Sequence, residues 1–505
     1  MSRTTKRVMR LSGQHRRLTG AGAIAGVLAI AIGGGLLLTQ TGRGPGASAS
    51  PSPNGSPAQT SVARIEPLIG PPSTDWFVGR PERLPAESDF ANRYNDTNPN
   101  GIFLKPEWVK PGGNPTDTLS SLIGAGRYPD LFGPVGIQVR AELEQHVLGL
   151  NDEIETSKTD LSAYPSALLN TFKNSAGQYE SLPYLEYPAF IFYNKDLFKA
   201  AGLPDLPTRV GQKYMGRDWT WDELATVAKQ LTVDTSGKRS TDPGFNPASI
   251  EDYGFDTQSV NDLRRFATTF GAGSYVAADG KTAQIPTVWE QAAKWYYDAM
   301  WTWHFAPTAP DAAVTDGGAG TSLVATGRVA MDLAWAWEIP SFGVGDTGNQ
   351  PASKSRHWDM GVLPSNNGVT TVPVDTDTFV IEKSTRYPDR AYKAMVAIMS
   401  DPTLMAAYGG LPADPSRQAT YFETTQAGVD KQFADNPITW PVLTEMAKYA
   451  ASPTHQDAMP NYAKATADDQ AFYAKLQSQS GLDLDNEIAN FKASLQADFD
   501  ASSGS

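Results

Sequence analysis

Residues 182–203 read LPYLEYPAFIFYNKDLFKAAGL, and this stretch decides the architecture. Phe190-Ile191-Phe192-Tyr193 is an unbroken apolar run, the pattern of a strand buried on both faces. Asn194-Lys195-Asp196 then turns the chain into a short helix ending at Gly202. Further on, Trp221-Asp222-Glu223 opens a helix running through Leu231, with Thr220 as N-cap three residues before Glu223, the spacing of a capping box.

The same alternation extends in both directions. Upstream, Asp75–Val78 reads as a strand. Thr116–Gly126 is a helix with Leu119, Leu122 and Ile123 on one face. Asp130–Phe132 is a strand that Gly133-Pro134 should end as a turn. Downstream, Trp289–Trp303 reads as a helix, Val329–Leu333 and Thr378–Ile381 as strands, and Arg390–Met399 and Ala463–Leu476 as helices. Short apolar runs alternating with amphipathic stretches predict an α/β fold. The roughly 440 residues after position 62 exceed what one core supports, so two lobes are expected.

The 505 residues are 40% hydrophobic and 19% charged, which rules out wholesale disorder. There is no Cys, hence no disulfide scaffold, Cys-ligated metal, thiol nucleophile or Cys-linked lipid anchor. Five scattered His without an HExxH pattern argue against a His-based metal site, and no cofactor is expected. The net charge of −13 is uneven: residues 1–50 hold seven Lys/Arg and no acid, leaving the remainder at about −20. Such a body repels phosphate backbones, so nucleic acid is not an expected partner.

The basic head ends at Arg16-Arg17 and is followed by the apolar run Ala21–Leu38, the layout of an export signal. Ala47-Ser48-Ala49 offers a small-x-small cleavage site; uncleaved, the segment would be a single anchor with its basic side in the cytoplasm. Residues 1–41 are therefore read as an export signal or membrane anchor. The stretch GRGPGASASPSPNGSPAQTS is a flexible Pro/Ser/Gly linker over 42–61. The body is expected outside the membrane either way, anchored or secreted.

Several segments, taken in order, resemble the extracellular solute-binding proteins of ABC importers, particularly the carbohydrate-binding group that includes maltose-binding protein. They are Leu182-Pro183-Tyr184, Tyr193-Asn194-Lys195-Asp196-Leu197-Phe198, Ala201-Gly202-Leu203 and Trp219-Thr220-Trp221-Asp222-Glu223-Leu224. Ile123–Asp130 and Tyr253-Gly254-Phe255 are similar to further family segments. So are Gly327–Met331 with Trp335-Ala336-Trp337, Phe379–Ile381 with Pro388–Ala391, and Gly409–Ala413. The resemblance covers roughly residues 70–475. It departs at the N-terminus, where the lipobox Cys usual in Gram-positive members is missing.

This resemblance implies a two-lobed, type II periplasmic-binding-protein-like α/β fold, hinged around an interlobe ligand cleft. Lobe 1 would comprise 62–181 plus 370–415, and lobe 2 would comprise 182–369 plus 416–505. The expected partners are a carbohydrate and the ABC permease subunits, with the chain a monomer that performs no catalysis.

Ligands of open α/β sheets lie beyond the carboxyl ends of strands, which directs attention to Trp335 and Trp337. An indole stacks on the apolar C–H face of a sugar ring, and Trp335 matches the family's stacking tryptophan best. Both could instead be core aromatics. Glu186 and Tyr187, beside the hinge, stand where the family places a polar contact, unless Glu186 is a solvated loop carboxylate. Asp375 and Asp377, two apart just ahead of a strand, would share one side and bind hydroxyls or a cation. The pattern argues against an EF-hand calcium loop there, because Phe379 stands where a third oxygen ligand is needed and Val380 where the turn requires glycine. Arg80 and the turn residues Pro134, Val135 and Gly136 occupy matching first-lobe positions, and Asn261 is a second-lobe candidate. Trp219, Trp221, Trp289, Trp295, Trp301 and Trp303 have core-like spacing and are assigned to packing.

Two other readings compete. A secreted glycoside hydrolase would also be acidic and Trp-rich, with two carboxylates ~5–9.5 Å apart. A membrane-tethered sugar sensor would share the clamp and lack the importer. A serine hydrolase is disfavoured because no G-x-S-x-G occurs.

Overall fold

The computed structural model describes residues 73–78, 83–97, 101–109, 115–137, 143, 146–174, 176–257, 260–315, 323–342, 357–432 and 437–502. The chain divides into a unit Met1–Leu68 and a compact unit Ile69–Ser505. The signal and linker readings of residues 1–61, and Arg80, lie outside the described residues. Among the described residues no helix is long and apolar enough to cross a membrane.

Among the described residues ten strands are present: β1 (Ser73–Val78), β2 (Phe103–Trp108), β3 (Leu131–Gly136), β4 (Leu182–Asn194), β5 (Val233–Asp234), β6 (Ile250–Asp252), β7 (Met331–Trp335), β8 (Trp358–Gly361), β9 (Val374–Ile381) and β10 (Leu411–Pro412). The main sheet runs β10-β4-β9-β3-β1-β2, and β7 and β8 join it through β4; β5 and β6 form a separate pair. β1 is parallel to β2 and β3, while β9 is antiparallel to β3 and β4.

β4 is the axis of the molecule. Its first half, Leu182–Pro188, pairs with β9, and Leu185 and Glu186 also pair with β10. Its second half pairs with β7 from Ala189 and with β8 from Ile191. The change of partner falls at Pro188-Ala189. Proline has no N–H to give to a ladder, and the β9 side ends one residue on, where Ala189 N–H donates to Pro373 O at 3.1 Å.

Local signals in the quoted stretch act as expected. The Asn194 side chain caps the helix Lys195–Ala201, accepting from the Asp196 and Leu197 N–H groups, and Gly202 closes it at φ 72°. Thr220 Oγ1 accepts from Glu223 N–H at 3.2 Å, and the Glu223 carboxylate pairs with Arg217 at 3.0 Å. Around the helices Trp221–Leu231 and Thr287–Trp301 an aromatic core forms, with Trp221 stacked on Phe270 and edge-on to Trp295. The indole N–H groups of Trp219, Trp221, Trp289 and Trp301 all donate to backbone carbonyls, which fits their assignment to packing.

Two boundaries differ from expectation in ways that matter below. Gly133-Pro134 does not end its strand: β3 continues to Gly136, with the register against β9 shifting between Phe132 and Val135. A bulge tolerates a proline that a regular ladder would not, so Pro134, Val135 and Gly136 lie in a strand rather than a turn. β9 begins at Val374, so Asp375 and Asp377 lie inside the strand and are buried. The Thr–Phe–Val–Ile run marked only the apolar end of β9. Its polar half is stabilised by partners distant in sequence.

Two glycines sit where backbones approach closely. A Cβ at Gly254 would stand 2.0 Å from Ala228 O, on the helix Trp221–Leu231, and one at Gly410 would stand 2.6 Å from the Tyr187 ring. Tyr253-Gly254-Phe255 therefore packs on that helix without a side chain between them. Gly254→Ala is expected to destabilise the fold by about 1–3 kcal/mol through overpacking, seen as a lower urea midpoint. An unchanged midpoint would mean that the helix moves away freely.

Candidate ligand-binding site

Where β4 changes partner, side chains from five chain segments meet. β7 ends with Trp335 opposite Ala189, and Trp337 follows two residues on. The two indoles are parallel within 3° and their centroids are 5.3 Å apart, so the stack is slipped. Trp335 is fully buried, and its indole N–H has no hydrogen-bond partner among the described residues. Trp337 is partly exposed, and the Tyr187 ring meets it edge-on at 5.4 Å.

The polar half of the cluster comes from β9 and from outside the sheet. Tyr187 pairs with Asp375 across β4 and β9, and Leu185 with Asp377, so these side chains share one face. Tyr187 OH donates to Asp377 Oδ2 at 3.0 Å. The Asp375 oxygens are divided between two bases: Oδ1 lies 2.6 Å from His455 Nε2, and Oδ2 lies 3.1 Å from Arg265 Nη2. Arg265 also rests against the indoles, its guanidinium carbon 5.2 Å from the Trp335 centroid and 5.8 Å from that of Trp337. It is carried by the short helix Leu263–Ala267, which Asp262 caps. Buried Asp469 fixes that helix by accepting from Leu263 N–H, Arg264 Nε–H and Tyr275 OH.

The expected residues thus divide. Trp335, Trp337, Tyr187, Asp375 and Asp377 converge, and Gly136 joins them as the β3 partner of Asp377. Val135 is the neighbouring pair, opposite Thr378, and Pro134 lies buried in the bulge before it. Glu186 pairs with Thr376 and Leu411, and strand alternation puts it on the face opposite Tyr187. Asn261 is exposed, just ahead of the Asp262 cap. Sequence reading missed Arg265 and His455. The only signal for Arg265 was the pair Arg264-Arg265 after a capping Asp; His455 carries none, because its partner is 80 residues away.

The cluster provides a flat aromatic surface bordered by carboxylates, a guanidinium and one unpaired indole N–H, which suits a ring with polar edges. Among the described residues no group of three or more His, Asp or Glu is placed to hold a metal ion.

Residues 81–405 match the family described as bacterial extracellular solute-binding protein. No curated protein matches the sequence. Among solved structures, an ABC substrate-binding protein from Listeria monocytogenes in complex with cycloalternan is similar, with a TM-score of 0.62 at 18% identity over 86% of this chain and 98% of that one. UgpB from Mycobacterium tuberculosis in complex with glycerophosphocholine gives 0.61 at 16%, over 86% and 99%. The sugar-binding protein MalE from Xanthomonas citri gives 0.60 at 15%, over 85% and 98%. At these identities the likeness establishes the fold: two-lobed, mixed α/β.

Glu186, on the far face of β4, has a distinct electrostatic signature. Burial raises its carboxyl from the ordinary 4.5 to about 7. The folded chain therefore keeps a proton that the unfolded chain has lost, and this group's effect is to lower stability as pH rises from about 4.5 to about 7. Glu186→Gln is expected to be more stable than wild type near pH 8, with the gap closing towards pH 4. Urea midpoints across that range check this; a gap independent of pH would mean that Glu186 ionises as readily folded as unfolded.

Proposed function

This chain belongs to the bacterial extracellular solute-binding proteins, and from that premise we propose that it is the substrate-binding component of an ABC importer for a carbohydrate. The observation that carries the sugar assignment is the slipped Trp335–Trp337 stack, next to Asp375, Asp377 and Arg265, at the strand shared by both halves of the sheet. The indoles offer an apolar face to sugar C–H groups, and the polar rim meets hydroxyls; burying one such face contributes about 1–2 kcal/mol. Cycloalternan, a saccharide, is bound by the similar Listeria protein.

Trp337 presents the accessible ring and Trp335 backs it. Tyr187, Asp375, Asp377 and Gly136 form the floor, with Arg80 and Asn261 as rim candidates. Lobe 1 (62–181 and 370–415) and lobe 2 (182–369 and 416–505) close about β4 on the sugar. Closing is driven by the ligand's greater affinity for the closed form. The closed surface is presented to the permease, whose ATPase supplies the energy of import. The chain performs no catalysis itself. Tyr187, His455 and Arg265 already engage both carboxylates, which supports binding over glycoside hydrolysis. It acts as a monomer on the outer face of the membrane, held by residues 1–41 or released from them.

Saturating sugar should raise the melting temperature, because it binds only the folded state. A thermal-shift panel of mono-, di- and oligosaccharides, amino acids and polyamines tests this; a shift with amino acids or polyamines and none with any saccharide overturns the sugar assignment. Trp337→Ala is expected to weaken sugar binding tenfold or more, about 1.4 kcal/mol, at small cost in stability. Trp335→Ala, which empties a buried site, should instead cost about 3–5 kcal/mol of stability. Calorimetric titration and urea unfolding of the two variants separate these effects.

A further inference from the structure

We infer that His455 is a positioning residue of the ligand site and makes its affinity depend on pH, anchoring Asp375 more firmly when the imidazole is protonated. The inference concerns regulation of the site proposed above and rests on the carbohydrate reading. His455 is buried, on a segment docked along the start of β9. Val372 N–H donates to Tyr449 O and Val372 O accepts from Ala451 N–H, both at 2.9 Å. Gln456 Oε1 accepts from Thr376 N–H at 3.3 Å. Between these ties His455 Nε2 reaches Asp375 Oδ1 at 2.6 Å, so Asp375 is placed from outside its own sheet. Asp375 in turn holds Arg265 at 3.1 Å against the Trp335–Trp337 stack. The polar side of the site is thus anchored through one imidazole, whichever of its groups touches the sugar.

An ionised carboxylate only accepts, which assigns the hydrogen of the neutral imidazole to Nε2 and leaves Nδ1 to take up a proton. Nδ1 lies 3.5 Å from Thr454 Oγ1, too far for a strong hydrogen bond. His455 and Thr454 line a cavity together with Arg264, Tyr275, Trp289 and Asp457. A turn in which Asp457 N–H donates to Thr454 O at 3.1 Å brings the Asp457 carboxyl back towards the ring. Burial pushes that carboxyl up from its ordinary value and charge on His455 pulls it down, so the two groups sense each other. The other charged groups here are already engaged: Arg264 with Asp469 at 3.2 Å, Arg265 with Asp375, and Asp377 with Tyr187 OH at 3.0 Å. A bond between two ionised groups is stronger than one with a neutral donor, so protonation tightens the hold on Asp375. A site held more firmly has less to order when sugar binds, and affinity rises as pH falls from about 8 to about 5. By reciprocity, sugar binding takes up protons in that range.

Calorimetric titration of the full-length chain with maltose, cellobiose, mannobiose and galactose, which do not titrate themselves, tests the inference between about pH 5 and pH 8. Buffers of different ionisation enthalpy report the protons exchanged. Wild type should bind a probe about threefold or more tighter near pH 5.5 than near pH 8, with net proton uptake. His455→Gln keeps a side-chain N–H for Asp375 and does not titrate in this range. It should match wild type within about threefold near pH 8 and lose both the pH dependence and the proton uptake. Asp457→Asn removes a negative charge on the cavity side and should move the rise in affinity to lower pH without weakening binding near pH 8. His455→Gln with the wild-type profile, or a wild-type affinity that is flat across the range, overturns the role of His455 and leaves the carbohydrate reading standing. If wild type binds none of the saccharides at any pH, the carbohydrate reading fails and takes this inference with it.

Discussion

One continuous strand organises this protein. β4 donates its first half to a sheet with β9 and β10 and its second half to β7 and β8, changing partners at Pro188-Ala189. Every residue of the central cluster is placed by reference to that point. Trp335 is there because β7 ends opposite Ala189, and Asp375 because the second residue of β9 lies opposite Tyr187. A strand with apolar residues on both faces must be covered on both, and that requirement brings the helical layers together around it.

The polar groups at this junction carry a different constraint. Asp375, Asp377 and Asp469 are buried, and a buried carboxylate is tolerated only with partners of good geometry. Asp377 has Tyr187, Asp375 has His455 and Arg265, and Asp469 has Arg264 and Tyr275. These bonds join β4, β9, the helix Leu263–Ala267, the segment around residue 455 and the helix Tyr462–Ser478. Removing one partner strands a charge, so the contacts favour a single arrangement of segments far apart in the chain. Glu186 shows the contrast: burial pushes its carboxyl up towards neutrality.

Local signals were readable where the physics is local. The Asn194-Lys195-Asp196 turn, the Thr220 cap, the Gly202 stop and the Phe190–Tyr193 run involve residues within a few positions of each other, and the structure has them as read. Reading stopped short where a polar stretch becomes a strand through distant pairing. Leu182–Pro188 and Val374–Asp377 lack a continuous apolar signature, and each is extended because the other lies beside it. The Gly133-Pro134 pair misled for the same reason, since a bulge against β9 is invisible without β9.

From the sequence alone came the two-lobed α/β class, several of the strands and helices, Trp335 and Trp337 beside a strand, and Asp375 and Asp377 on a common side, because periodicity, caps and residue chemistry are written along the chain. Tertiary structure decided which of these groups meet. It put Glu186 on the opposite face from Tyr187, buried Trp335 beneath Trp337, and brought Arg265 and His455 to Asp375 across 110 and 80 positions. Side-chain alternation depends on register, and ion pairs depend on packing between segments, and neither is fixed until the chain has closed on itself.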